Sequence, residues 1–577
     1  MDRLAQHLML MLAVATLAIV AAACSTNQSQ PELDTKRAES RYESASTPIS
    51  NRPAQSDAAI RPSIGEAIEL GALSMMDQNG VPARTQLAYS LVHAVPESSA
   101  MPPKVDREQY ASLDANPVKR VVEDPVSTFS VDVDTGSYSN IRRMLNAGQR
   151  PPHNAVRVEE MINYFSYDYP LPEADEGPFS VSVEQAVTPW NPNTRLLQVG
   201  LQGYRPDPAA IPASNLVFLL DVSGSMNAPD KLPLLVNSMK MLTRELDQDD
   251  RVAVVVYAGS TGVVLESTPG DQHATIVAAL DQLSAGGSTN GGAGIDLAYA
   301  QARQGFIDGG VNRVILATDG DFNVGTVNFD ALIDKVERQR DSGIALTTLG
   351  FGQGNYNDQL MEQLADAGNG NHAYIDNLNE ARKVLVDELT ATLLMIAKDV
   401  KIQIEFNPAV VAEYRLIGYE NRQLKREDFN NDRVDAGDIG AGHTVTALYE
   451  IALVGSAGER VDPLRYLDQL IRSPATGHSG ELAFLRLRYK APDAEVSQLI
   501  EQPIVFDAAS SMSPRLAWAA SVAAFGQHLA GSVYLNEFDL QDIQTLAQRA
   551  RGDDPFGYRA EFMQLLRLAE SQAVAQR

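Results

Sequence analysis

Hydrophobic residues follow two different patterns along this chain. Between about residues 215 and 394, short continuous apolar runs (216–220, 252–257, 262–267, 313–317, 344–350, 373–376) alternate with stretches of helical spacing (232–246, 273–283, 291–306, 329–341, 358–367, 379–396). A continuous run fits a strand covered on both faces. Strand–helix alternation predicts a mostly parallel sheet with helices on both sides, a doubly wound, Rossmann-like α/β unit. On either side of that block the period changes to two. Phe179, Val181, Val183 and Leu197, Val199, Leu201 come before it, and Ile402, Ile404, Phe406, then Val445, Ala447, Tyr449, Ile451, then Ala483, Leu485, Leu487, Tyr489 come after. Alternation marks half-buried strands, so the α/β unit is expected to be inserted into a β-sandwich that both flanks build.

The remaining elements are helical. Stretches 138–147 and 156–165 are separated by Pro151-Pro152, which a helix interior does not tolerate. The tail reads as helices 514–530, 539–551 and 556–574, the first capped by Ser513 ahead of Pro514, with Phe556, Met563 and Leu566 expected to pack onto the sandwich. The domain reading is a signal peptide (1–23), a tether (24–105), an α+β module (106–213), the α/β unit (214–396) and a C-terminal β-sandwich plus helical domain (397–577).

The candidate chemistry lies where the apolar run 216–220 breaks into Asp221-Val222-Ser223-Gly224-Ser225-Met226. The carboxyl end of a central parallel strand is where such sheets place a site. Asp221, Ser223 and Ser225 stand two apart, so in an extended loop their oxygens project to one side. Oxygen donors suit magnesium, manganese or calcium. Two hydroxyls leave such a cation short of negative charge, and the rest of the set is found downstream. Gly286-Gly287-Ser288-Thr289-Asn290-Gly291-Gly292 offers Thr289 on a glycine-rich turn that opens a helix, and the run 313–317 ends in Thr318-Asp319-Gly320-Asp321. Asp319 again closes a strand, while Asp321 is a candidate for the surrounding shell.

Asp221-x-Ser223-x-Ser225, Thr289 and Asp319 together resemble the complete metal-ion-dependent adhesion site of a von Willebrand factor type A domain, over roughly residues 214 to 395. The resemblance implies that the two serines and the threonine touch the metal, that the aspartates act largely through water, and that a carboxylate from a partner protein fills the open position. The stretches Val126-Ser127-Thr128-Phe129-Ser130-Val131-Asp132-Val133-Asp134-Thr135, Ala155-Val156-Arg157-Val158-Glu159-Glu160-Met161 and Gly442-His443-Thr444-Val445-Thr446-Ala447-Leu448-Tyr449-Glu450-Ile451 extend it. They are similar to bacterial von Willebrand factor type A lipoproteins that carry an extra N-terminal module and a further C-terminal domain.

Charge and cysteine usage narrow the partners. Lys plus Arg number 47 against 74 Asp plus Glu, a net charge of −27, so nucleic acid is not an expected partner. The one cysteine excludes an internal disulfide and a cysteine-based zinc cluster. Cys24 follows a short charged start, an apolar run over 8–20 and Ala21-Ala22-Ala23, the shape of a secretory signal. This resembles a bacterial lipobox, which implies lipidation of Cys24, and Ser25 after it implies the outer membrane, on its periplasmic face. Residues 25–105 are rich in Ser, Pro, Gln, Asn and Ala with few aromatics, and read as a tether reaching roughly 50 Å, with apolar patches at 64–76 and 87–95.

Three functions are compatible with these residues. The first is a lipid-anchored module that captures a partner's carboxylate through magnesium. The second is a metal-dependent hydrolase with Asp319 or Asp321 as base, against which the nearest histidines, His273 and His372, fall outside the motif loops. The third is a structural envelope scaffold. No GxxxxGK[ST] follows a strand, and Gly352-Gln353-Gly354-Asn355 reads as a turn. Asp132-x-Asp134-Thr135 superficially resembles a phosphohydrolase nucleophile loop, with Gly136 where the threonine belongs. The acidic stretch 428–432 lacks the glycine of a calcium loop, since Arg433 follows.

Overall fold

The computed structural model describes residues 108, 110–111 and 114–575, apart from 174–176, 289–290, 321–328, 355, 463, 465–477 and 479. The leader, Cys24, the tether, Thr289 and Asp321 lie outside the described residues.

The apolar runs form one six-stranded sheet in the order His372–Ile375, Ala345–Phe351, Val311–Thr318, Ser214–Asp221, Arg251–Tyr257, Thr261–Pro269. Its neighbours are parallel except for Thr261–Pro269, which returns antiparallel along Arg251–Tyr257. Every residue of Ser214–Asp221 is buried. Leu216, Phe218 and Leu220 pack on one face with Leu235 and Met239 of the helix Leu232–Thr243. Val217 and Leu219 pack on the other with Ile295 and Ala298 of Gly291–Gln304. Each of these large side chains contributes about 1.5–3 kcal/mol by leaving water, so the strand that carries Asp221 is a rigid support.

The flanks form two five-stranded sheets. One runs Lys119–Arg120, Val411–Ile417, Thr444–Leu453, Asn191–Gly203, Phe179–Thr188. The other runs Gly437–Gly440, Met395–Phe406, Glu481–Lys490, Gln498–Val505, with Val126–Ser130 also pairing along Met395–Phe406. Residues before and after the α/β unit are therefore ladder partners, Leu197 opposite Tyr449 and Phe129 opposite Ile402. Leu197, Val199, Ile402, Ile404, Val445 and Leu485 share the core between the sheets. This is the shared sandwich that the period-two strands imply.

In the tail, the Ser513 hydroxyl accepts the Leu516 N–H at the start of Pro514–Leu529. That helix is apolar nearly all round, and Trp518 meets Phe165 and Phe562 at ring distances of 5.3 and 5.2 Å. Met563 and Leu566 join Leu196, Ile417 and Leu448 on the outer face of the first sheet. Phe556 does not: it precedes the helix Tyr558–Ala575 and is 54% exposed.

Two helical stretches are corrected. The one expected over 156–165 shortens to Val158–Asn163. The single helix expected over 379–396 breaks into Leu378–Arg382, a π-helical turn Lys383–Asp387 and Leu389–Leu393, with the strand already running from Met395. Met395 pairs with Gly440 and Lys398 with Lys490. Sheet pairing thus claims residues that local spacing assigns to a helix, and the connection is a broken helix joined directly to a strand.

The α/β unit meets its flanks across a buried acidic seam. Arg422 bonds Asp132 (2.9 Å) and Asp134 (3.4 Å) from the N-terminal side and Glu362 (3.2 Å) and Asp366 (3.0 Å) from the α/β unit. The Asp132-x-Asp134 pair is therefore committed to an arginine. Burial, reinforced by the nearby Glu420 and Asp132, pushes Glu159 up to about 8, and burial pushes Glu362 up to about 7 against the pull of Arg422 and Arg157. A carboxyl raised above its unfolded value contributes stability below that unfolded value and loses it as pH rises through the folded one. The melting temperature is therefore expected to fall between about pH 5 and 8, from the unfolded glutamate value to the raised folded ones, and Glu159→Gln is expected to flatten that fall. Thermal melts across this range check it, and a melting temperature that rises with pH would contradict it.

Candidate functional site

Asp221 and Asp319 come together because neighbouring parallel strands end side by side. Leu220 is in register with Ala317, Asp221 is the last residue of its strand, and Asp319 follows Thr318, the last of its own. Both aspartates are fully buried. Asp221 Oδ1 accepts the Ser223 N–H (2.8 Å), and Oδ2 accepts the Thr318 hydroxyl (2.9 Å) and the Tyr257 hydroxyl (3.3 Å). These donors are all neutral. Burial pushes the Asp221 carboxyl above the usual carboxylate range, opposed mainly by the Ser223 hydrogen bonds.

The serines are presented by a tight loop. After Ser223 the chain makes the 3-10 turn Gly224–Asn227, and the Ser223 and Ser225 hydroxyls lie 2.9 Å apart. Ser223 is buried and Ser225 exposed, so the pair spans the floor and rim of the site. The glycine-rich turn packs on this loop: Gly224 donates to the Gly287 carbonyl (3.0 Å) and Gly286 to the Val222 carbonyl (2.8 Å). Gly287 has φ +85° and approaches Gly259 so closely that a Cβ would lie 3.1 Å from its nitrogen. Thr289 follows two residues on, outside the described residues, as does Asp321 beyond Asp319.

Three participants escape the motif reading. Thr318 and Tyr257 hold Asp221. Lys231, six residues past Ser225, reaches Asp319 with its ammonium 2.7 Å from Oδ2. Its one sequence signal is a misplaced charge: Lys231 caps the N-terminus of Leu232–Thr243, where the helix dipole disfavours a cation, so its partner has to lie elsewhere.

The donor set fits a hard divalent cation. It consists of oxygen alone, and it includes a buried carboxylate whose hydrogen-bond donors carry no charge. Among the described residues no group of three or more His, Cys, Asp or Glu gathers to hold a metal ion, and this set combines only two carboxylates with hydroxyls. The histidines are engaged elsewhere: His273 with the Leu246 carbonyl (3.0 Å), and His372 with Thr348 (2.9 Å) and Tyr356 (2.6 Å). Asp319 is engaged by the Lys231 ammonium.

Comparison with known proteins gives the following. The family model "von Willebrand factor" matches residues 104–198, "von Willebrand factor type A domain" residues 215–388, and "Uncharacterized protein YfbK, C-terminal" residues 391–572. The chain is 48% identical over 502 residues to "Uncharacterized protein YfbK" of Escherichia coli (strain K12), covering 86% of each chain. It is 30% identical over 167 residues to "Uncharacterized protein sll0103" of Synechocystis sp. (strain ATCC 27184 / PCC 6803 / Kazusa), covering 29% of this chain and 39% of that one. Among solved structures it is similar to von Willebrand factor type A from Catenulispora acidiphila, at 16% identity and a TM-score of 0.38, covering 70% of this chain and 91% of that one.

Proposed function

The chain belongs to the YfbK family and joins a von Willebrand factor type A domain to a YfbK C-terminal domain, and we propose that it is a lipid-anchored binding protein of the cell envelope that captures a protein partner's carboxylate through a divalent cation. Asp221, Ser223, Ser225, Thr289 and Asp319 would hold the cation, magnesium or else manganese or calcium. When bound, it supplies an electropositive centre for an anionic group. The observation that carries this reading is Asp221, a fully buried carboxylate reached, among the described residues, by neutral donors alone at the base of a hydroxyl-lined loop. The chain's own residues do the positioning: the buried strand fixes Asp221, Thr318 and Tyr257 orient it, and the Gly286–Gly287 turn holds the serine loop closed.

A pull-down from envelope extract in magnesium, repeated in EDTA, tests the capture. A partner retained only in magnesium, and lost with Ser225→Ala, is expected. Retention unaffected by either would contradict it.

The anchor is tested separately. Cys24→Ser is expected to leave an unprocessed, unlipidated precursor, seen as a shift in intact mass. Normal maturation and membrane partitioning of that variant would overturn the lipid anchor.

A further inference from the structure

Lys231 is a cation built into the site. It is 6% exposed, and its ammonium stands 2.7 Å from Oδ2 of the fully buried Asp319. The backbone holds its base in place: Lys231 N–H donates to the Ala228 carbonyl (3.0 Å) and its carbonyl accepts from Leu235 N–H (2.8 Å). The stem runs through a groove that only a glycine leaves open. A Cβ on Gly352 would lie 2.3 Å from Lys231 Cγ and 2.4 Å from Cε, and Gly352 has φ +74°. The preceding residue, Asp230, accepts from Gln353 (3.3 Å), so the lysine's reach to Asp319 does not follow from a neighbour's pull. The charge is also kept against a local cost, at the positive end of Leu232–Thr243.

We propose that Lys231 determines the ligand charge the site accepts, by adding a fixed positive charge beside the carboxylates of the metal centre. This rests on the metal-capture reading above. Among the described residues Asp221 and Asp319 bring two negative charges to the centre and Lys231 one positive charge. The ammonium shifts the loaded site's field by one positive charge and so favours a carboxylate over an amide. The same charge repels the metal and occupies Asp319, so metal affinity is lowered while anion preference is raised. The two effects of removing it therefore have opposite signs, which a purely structural lysine would not give.

The experiment uses the full chain and two variants. Lys231→Gln removes the charge but keeps an N–H for Asp319, and Lys231→Met keeps the length. Magnesium affinity is read by calorimetry. The magnesium-loaded proteins are then titrated with the peptide Ac-Gly-Glu-Gly-NH2 and its glutamine counterpart. In both variants magnesium is expected to bind about tenfold tighter, and the preference for the glutamate peptide is expected to fall by about the same factor, the scale of one close charge at a partly buried site. Lys231→Arg is expected to keep the preference. Should Lys231→Met fold poorly, Lys231→Gln alone carries the comparison, its folding checked by its melt. Unchanged or weaker magnesium binding, or an unchanged glutamate preference, in a wild-type background that binds both probes would overturn the role of Lys231 alone. A wild-type protein that binds no magnesium would overturn the metal-capture reading and this proposal together.

Discussion

Asp221→Asn is expected to lower magnesium affinity by at least about a hundredfold while leaving the metal-free protein as stable as wild type or more so. The two effects share one cause. A buried carboxylate that, among the described residues, is reached only by neutral donors destabilises the empty fold, and on the proposed reading the same uncompensated charge draws the cation. Asparagine keeps an oxygen for the Ser223 N–H, and its amide can donate to the Thr318 and Tyr257 hydroxyls, which rotate to accept. The neutral isostere therefore fills the same space with its hydrogen bonds satisfied. Melting in EDTA should show an equal or higher temperature for the variant, and added magnesium should raise the melting temperature of wild type only. A variant that melts well below wild type in EDTA would show that the carboxylate is part of the structural frame and not a vacancy of charge kept for a ligand.

The second large effect lies at the junction of the α/β unit with its flanks. Arg142, 1% exposed on the helix Gly136–Asn146, bonds Asp376, Glu380 (2.8 Å) and Glu561 (3.0 Å), and also donates to the Tyr164 hydroxyl (3.0 Å). One guanidinium thus ties the N-terminal module to the α/β unit and to the last helix. Arg142→Met leaves three carboxylates facing one another without their cation, two of them on residues at most 5% exposed. Removing one side of such a buried network costs about 3–5 kcal/mol. The expected calorimetric result is a lower first transition and a melt that splits, with the α/β unit unfolding apart from the sandwich. A single transition at the wild-type temperature would contradict this role.

The strands of the α/β unit were legible because their burial on both faces leaves continuous apolar runs such as 216–220 and 313–317, and their mostly parallel pairing follows from strand–helix alternation. The shared sandwich was legible from period two, since Ala483, Leu485, Leu487 and Tyr489 are buried in Glu481–Lys490 while Phe484, Arg486 and Arg488 between them are only partly so. What sequence pattern missed depends on partners far along the chain. Val126–Ser130 is buried along its whole length by pairing with Lys401–Glu405, so it shows no alternation to mark its mate. The break at Lys383–Asp387 is forced by the sheet that takes Met395, and helical spacing alone continues through it. At the site, the motif named the groups at the loop tips, while Tyr257, Thr318 and Lys231 act from a neighbouring strand, a strand end and a helix cap that meet only in the fold.

Calorimetric titration of the full chain with magnesium chloride tests divalent capture at Asp221 most directly. A single saturable event, removed by EDTA and absent in Asp221→Asn, is expected. No heat of binding in wild type, or the same curve in Asp221→Asn, would contradict it.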